Sequence, residues 1–151
     1  MSSDVEVRIY RVGLASTARG PIPMVLLEDS SGRILPVFID ENQATSISSG
    51  LDGRRPTILG THDFIMATLR ELEVEIKKAT IYALRGNRFF ARLTLAVDGK
   101  ETDVDGRPSD AIAVAVRAEA PIFVSESVMD KASVDKSDIS TMIGPDYEPG
   151  A

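Results

Sequence analysis

The chain holds one histidine, His62, in the run Thr61-His62-Asp63. Histidine is the side-chain type whose ordinary titration lies near neutrality, so His62 is the natural candidate to move a proton. Adjacent to Asp63 at a helix start, it could serve as a general base or a metal ligand. The plain alternative is that Thr61 caps a helix while Asp63 favours its positive end. Adjacent helical residues point in different directions, so the spacing alone does not give a His62–Asp63 relay.

A second cluster lies at Asp103, Asp105, Arg107, Ser109 and Asp110. Asp103 and Asp105 are two apart on an expected strand and share a face. With Asp110 they could hold a divalent cation, magnesium or manganese, whose charge offsets their repulsion. Arg107 can grip a phosphate through two N–H groups. Pro108-Ser109 opens a helix whose free N–H groups suit an anion. Such parts suit phosphodiester cleavage. They equally suit a solvated strand end and a helix cap, with Arg107 paired to an aspartate.

Arg88 and Arg92 lie among Tyr82, Phe89 and Phe90, and a single strand can be held by charge and stacking on such a surface. Arg55, in Arg54-Arg55-Pro56, is a candidate phosphate contact on a loop. Against both stands the acidic balance. Lys and Arg total 17, Asp and Glu 23, and the net charge is −6. Nucleic-acid binders usually present a basic face, so any such contact rests on a local patch.

These residues need a frame. The 151 residues, 43% hydrophobic and 26% charged, match one globular domain with its own core. Alternation predicts a strand over residues 5–12, a bend over 16–23, and a hairpin over 24–39 turning at Glu28–Gly32. Pro36 places its strand at an edge or a bulge. Asp40 caps a helix running to Leu51, and Gly50 or Gly53 ends it. Thr61 caps a second helix, with Phe64, Ile65, Leu69 and Leu72 expected inward. Strands follow over 74–84, 88–97 and 100–105, with Asp98-Gly99 as a two-residue turn. An almost wholly apolar helix over 111–118 should be buried. A strand over 121–124 feeds a short helix capped by Ser125. The result is a mixed α/β (α+β) domain over residues 1–133, a mixed sheet with three to four helices, followed by a loose polar tail over 134–151. Hairpin-then-helix recurs, as does Pro36-Val37-Phe38-Ile39-Asp40-Glu41 in the pattern of Pro121-Ile122-Phe123-Val124-Ser125-Glu126, which is compatible with a duplicated unit.

The absences narrow the chemistry. With no cysteine there is no disulfide, thiolate zinc site or cysteine nucleophile. No glycine-rich phosphate loop, dinucleotide fingerprint or nucleophile elbow occurs, so no organic cofactor is expected. No leader-like start and no membrane-length apolar run are present, which makes a cytoplasmic protein the expectation.

Taken together, the segments resemble the bifunctional nuclease domain family. The resemblance rests on Leu35-Pro36-Val37-Phe38-Ile39, Arg55-Pro56, Thr61-His62-Asp63, Phe89-Phe90-Ala91-Arg92-Leu93, and above all Asp105-Gly106-Arg107-Pro108-Ser109-Asp110-Ala111 followed by Ala120-Pro121-Ile122-Phe123-Val124. It implies a compact α/β fold around a mixed sheet, self-association with a dimer favoured, and activity on DNA and RNA. The sequence departs from the pattern at Gln43, where the family commonly has glutamate, at the four residues between Pro56 and Thr61, and at Gly106. The competing expectation is a non-enzymatic, homo-oligomeric binding or regulatory module whose Arg107 and aspartates form a structural network.

Overall fold

The computed structural model describes residues 3–53, 57–139 and 143–147. Nine strands and five helices occur among them. They are β1 (Asp4–Thr17), β2 (Gly20–Glu28), β3 (Arg33–Phe38), α1 (Glu41–Asp52), α2 (Thr61–Glu71), β4 (Glu75–Arg85), β5 (Arg88–Val97), β6 (Lys100–Gly106), α3 (Pro108–Ala118), β7 (Ile122–Ser125), α4 (Glu126–Ala132), β8 (Val134–Asp135), α5 (Lys136–Ile139) and β9 (Ile143–Asp146). The helix count exceeds the expected three to four by the short α5.

The strands form one mixed sheet in the order β6-β5-β4-β7-β1-β2-β3-β8, with β9 also on β1. Among the described strands only β4 and β7 run parallel. β1 joins the two halves: Asp4–Val7 pair with β7, and Arg8–Thr17 pair with β2 across an irregularity between Ile9 and Arg11. The bend expected over 16–23 shrinks to a tight turn between Thr17 and Gly20, because β1 and β2 stay paired to the last residue. Asp98 and Gly99 take φ of 51° and 78° and close the β5–β6 hairpin, as the sequence predicts for that pair. Pro36 falls where its missing N–H costs nothing, since β8 pairs only with Arg33 and Ile34.

β2 is buried on both faces, and its alternation feeds two cores. Val25 and Leu27 join Leu35, Ile47, Ile112, Val124 and Met129 beneath the helices. Met24 and Leu26 join Ala15, Ile34 and Ile139 on the other side. That second face corrects the expectation of a loose tail. Ile139 is 3% exposed and Val134 packs beside it, so residues 134–139 cover apolar surface that β2 and β3 would otherwise leave wet. β9 then adds to β1.

The helices that carry the site are set by local signals. Asp40 accepts from the Gln43 N–H and Gln43 Oε1 accepts from the Asp40 N–H, a complete capping box starting α1, and Gly53 ends it at φ 66°. In α3 Pro108 occupies the first turn, and six of its eleven residues are buried. α2 differs from expectation. Its cap is Gly60, and its inward residues are His62 and Met66, one helical turn apart, whereas Phe64 and Leu72 are 67% and 66% exposed. The apolar periodicity of this helix misled because a histidine takes the central inward position.

Candidate functional site

α1, α2 and α3 meet at a cleft of about 550 Å³ lined by Asn42, Ser46, Ser49, His62, Arg107 and Asp110 among others. α1 packs on α3 so closely that a Cβ on Gly50 would sit 2.7 Å from Val116 Cγ2. α2 is tied to α3 by Arg117, whose Nε donates to Asp63 Oδ1 at 2.8 Å and whose Nη1 donates to the Ala113 carbonyl.

Four side chains form one hydrogen-bonded line along the cleft. Arg107 Nε donates to Asp110 Oδ2 at 2.7 Å, and Arg107 Nη2 to Asp110 Oδ1 at 3.2 Å. Asp110 Oδ1 lies 2.8 Å from His62 Nε2, and His62 Nδ1 lies 2.6 Å from Ser46 Oγ. Burial works to raise the Asp110 carboxyl, but hydrogen bonds from Arg107 and His62 outweigh it and hold the group below the ordinary aspartate range. An ionised carboxylate only accepts, so the His62 proton belongs on Nε2 in the neutral ring. Nδ1 then accepts, and the Ser46 hydroxyl donates to it. The imidazole is 91% withdrawn from solvent on a side-chain basis, being 9% exposed, while the Arg107 side chain is 64% exposed at the mouth.

The structure sorts the candidate residues. It brings together His62, Arg107 and Asp110, which lie apart in sequence. Asp63 lines the same cleft but is committed elsewhere. Burial would raise it, yet the Arg117 guanidinium and the Gly60 N–H hold it ionised and low, with both oxygens engaged. It is a clamp, and His62 pairs with Asp110 in its place. Ser109, expected to touch substrate, is 3% exposed inside α3, and is therefore corrected to a packing residue.

The acidic pair is also corrected. Asp103 accepts from Thr94 Oγ1 at 2.7 Å and lies 3.8 Å from Arg92 Nε, and Asp105 accepts from the Tyr82 hydroxyl at 3.2 Å. Both extend from the face of β5 and β6 opposite the helices, because Ala91 and Leu93 take the core side. Neither lines the cleft that Asp110 lines. Among the described residues no three His, Asp or Glu side chains gather as a cation would require, so the expected Asp103, Asp105 and Asp110 set does not fit a metal.

Arg92 stacks over the Tyr82 ring at 4.8 Å and Arg85 over Phe90 at 5.4 Å, so the aromatic faces on that side already carry cations of the same chain. Arg88 is exposed at the start of β5, away from the cleft lining. Arg55 lies outside the described residues. Gln43 is engaged in the α1 cap, a role glutamine and glutamate fill alike.

Sequence reasoning missed Ser46 and Arg117. A signal existed for the first: Asn42, Ser46 and Ser49 recur at helical spacing beside the thin apolar stripe of Ala44 and Ile47. Arg117 is the lone charge ending an apolar helix, and only the partner Asp63, far away in sequence, gives it a role.

A family model described as the bifunctional nuclease domain matches residues 24–137 of the chain. The chain belongs to this family. The match contains Ser46, His62, Arg107 and Asp110. An uncharacterized protein of Mycobacterium tuberculosis is 33% identical over 136 residues, covering 88% of this chain and 80% of its own length. Bifunctional nuclease 2 of Oryza sativa subsp. japonica is 28% identical over 121 residues, which is 76% of this chain but 36% of the rice protein. Bifunctional nuclease 1 of Arabidopsis thaliana is 26% identical over 119 residues, with 75% and 36% covered. No helix of the described residues is long and apolar enough to cross a membrane.

Proposed function

We propose that this bifunctional nuclease domain hydrolyses phosphodiester bonds of DNA and RNA in the cleft between α1, α2 and α3. One observation carries the reading: the single imidazole is fixed by the Asp110 carboxylate at Nε2 and meets the Ser46 hydroxyl at Nδ1, in the lining of a cleft that Arg107 also lines. Asp110 accepts from Nε2 and so orients the ring and fixes its tautomer, as a carboxylate does for a histidine base. Nδ1 takes a proton from the attacking hydroxyl. Arg107 can leave Asp110 for a substrate phosphate, matching its two N–H groups to two oxygens. Ionic substrate then replaces an ionic partner, so little charge solvation is lost. The names of the plant relatives support the reaction class.

The test is cleavage of labelled single- and double-stranded DNA and RNA by highly purified protein, in chelator and with magnesium or manganese. Wild type should cleave, and His62→Gln should lose about 100-fold or more per folded molecule when assayed well below its own melting temperature. Full activity in His62→Gln, or none in wild type under every condition, refutes the proposal.

A second reading has a specific observation behind it. Arg107, Asp110, His62 and Ser46 satisfy one another, as they would in a structural network of a binding module. In that case removal of Arg107 lowers stability and leaves nothing catalytic to lose.

A further inference from the structure

We infer that Ser46 is the nucleophile of this site and forms a covalent seryl–phosphate intermediate. The inference rests on the phosphodiesterase reading for its substrate, but the activation of Ser46 can be measured without it. A serine hydroxyl is a weak nucleophile until a base removes its proton. Here the base is in place: Ser46 Oγ sits 2.6 Å from His62 Nδ1, and His62 Nε2 sits 2.8 Å from Asp110 Oδ1. Nucleophile, base and orienting carboxylate come from α1, α2 and the first turn of α3, three separate stretches of chain. The imidazole is used in the reverse sense to the usual serine hydrolase, with the carboxylate on Nε2 and the hydroxyl on Nδ1. The roles are recognised by geometry, and either nitrogen can serve as base once the other is held protonated.

The surroundings favour the attack. Ser46 is half-buried and lines the cleft, so a phosphorus atom can approach its oxygen. Arg107 lines the same space, as do Gly60, Thr61 and Asp63 at the start of α2. Thr45, beside Ser46 on α1, has its hydroxyl 2.9 Å from that of Tyr147.

The chemistry closes on itself. Ser46 Oγ attacks the phosphorus, and its proton passes to His62 Nδ1. The bond from phosphorus to one sugar oxygen breaks, and that oxygen departs with the proton returned from Nδ1. Ser46 now carries the remaining nucleotide through a phosphodiester. Water attacks the same phosphorus and gives a proton to Nδ1. The Ser46 oxygen leaves, recovers that proton, and a phosphomonoester end is released. No oxidant, reductant or further reactant is needed.

The test uses a fluorophosphonate probe on the full chain, read by intact mass and peptide mapping, beside nuclease assays on the same samples. Wild type should gain one adduct on Ser46 with loss of fluoride. Ser46→Ala should gain none, and His62→Gln and Asp110→Asn should label about 100-fold more slowly. The melting temperature of each variant checks folding, and peptide mapping of the wild-type adduct locates it even if one variant does not fold. An adduct elsewhere, or wild-type labelling no faster than Ser46→Ala, overturns the inference. So does Ser46→Ala cleaving nucleic acid at the wild-type rate, which leaves the nuclease reading standing. An adduct on Ser46 in a protein that cleaves neither DNA nor RNA upholds the nucleophile and removes the nuclease reading.

Discussion

Two arginines border the cleft, and replacing each by methionine should separate function from scaffolding. The Arg117 side chain is 9% exposed and its partner Asp63 is 18% exposed, with a hydrogen bond of 2.8 Å between them and a second to the Ala113 carbonyl. Methionine keeps most of the stem packing, so the loss is that of the charge. Asp63 is left ionised with only the Gly60 N–H, and breaking a buried pair in this way costs about 3 kcal/mol or more. For a chain of this length that lowers the melting temperature by roughly 6–12 °C. The Arg107 side chain is 64% exposed and Asp110 34% exposed. Solvent replaces much of that interaction, so Arg107→Met should stay within about 1 kcal/mol of wild type. Its nuclease turnover should fall about 100-fold, the usual scale for removing one donor to a developing charge. Arg117→Met should keep its turnover per folded molecule when assayed well below its melting point. Calorimetry and cleavage assays at one fixed temperature measure both. If Arg107→Met loses more stability than Arg117→Met and keeps its turnover, the cleft network is structural and the catalytic reading is wrong.

Other outcomes follow from the same geometry. Ile139→Ala should cost about 2–5 kcal/mol in chemical denaturation, the scale for truncating a buried isoleucine, whereas a loose tail would cost nothing. Gly50→Ala should destabilise by about 1–3 kcal/mol, less up to ~1 kcal/mol gained in helix propensity, because the new methyl meets Val116 at 2.7 Å and Arg117 at 2.9 Å. Stability should also depend on pH. Glu28 is lowered by Lys136, against burial and with help from Arg8; Asp29, Asp63 and Asp110 are lowered by their partners although burial opposes this. Each folded pKa lies beneath its unfolded value, so the contribution is complete above the ordinary carboxylate range and is lost as pH falls through the lowered values. Denaturation midpoints should therefore hold steady down to about pH 5 and drop below about pH 4, with a shallower drop in Asp63→Asn.

What could be read in the sequence was what short-range rules govern. The Asp40 cap, the Asp98-Gly99 turn and the span of β5 depend on neighbours within a few residues, and each stands where its pattern puts it. The inward face of α2 was misread because periodicity ranks residues by hydrophobicity. It gives no weight to a histidine that becomes buriable once Ser46 and Asp110, distant in sequence, satisfy both ring nitrogens. The order in residues 134–139 was hidden for a related reason. Their value lies in the outer face of β2, whose need for cover shows only once Met24 and Leu26 are seen on the opposite side from Val25 and Leu27.

The sharpest division falls inside the motif Asp105-Gly106-Arg107-Pro108-Ser109-Asp110. It reads as one unit in sequence, yet the chain changes there from a strand to a helix, and the change sends its carboxylates to different places. Asp105 still follows the two-residue alternation of β6 and stays with Tyr82 on the sheet face away from the helices. Asp110 stands on the first turn of α3 and turns to His62. A metal reading needs these carboxylates to converge, and the strand-to-helix junction prevents it. A histidine-base reading needs only Asp110, which the same junction delivers, together with Arg107 one turn before it. The longer plant relatives share about a third of their length with this chain, and all members of the line from Arg107 to Ser46 fall inside the family match.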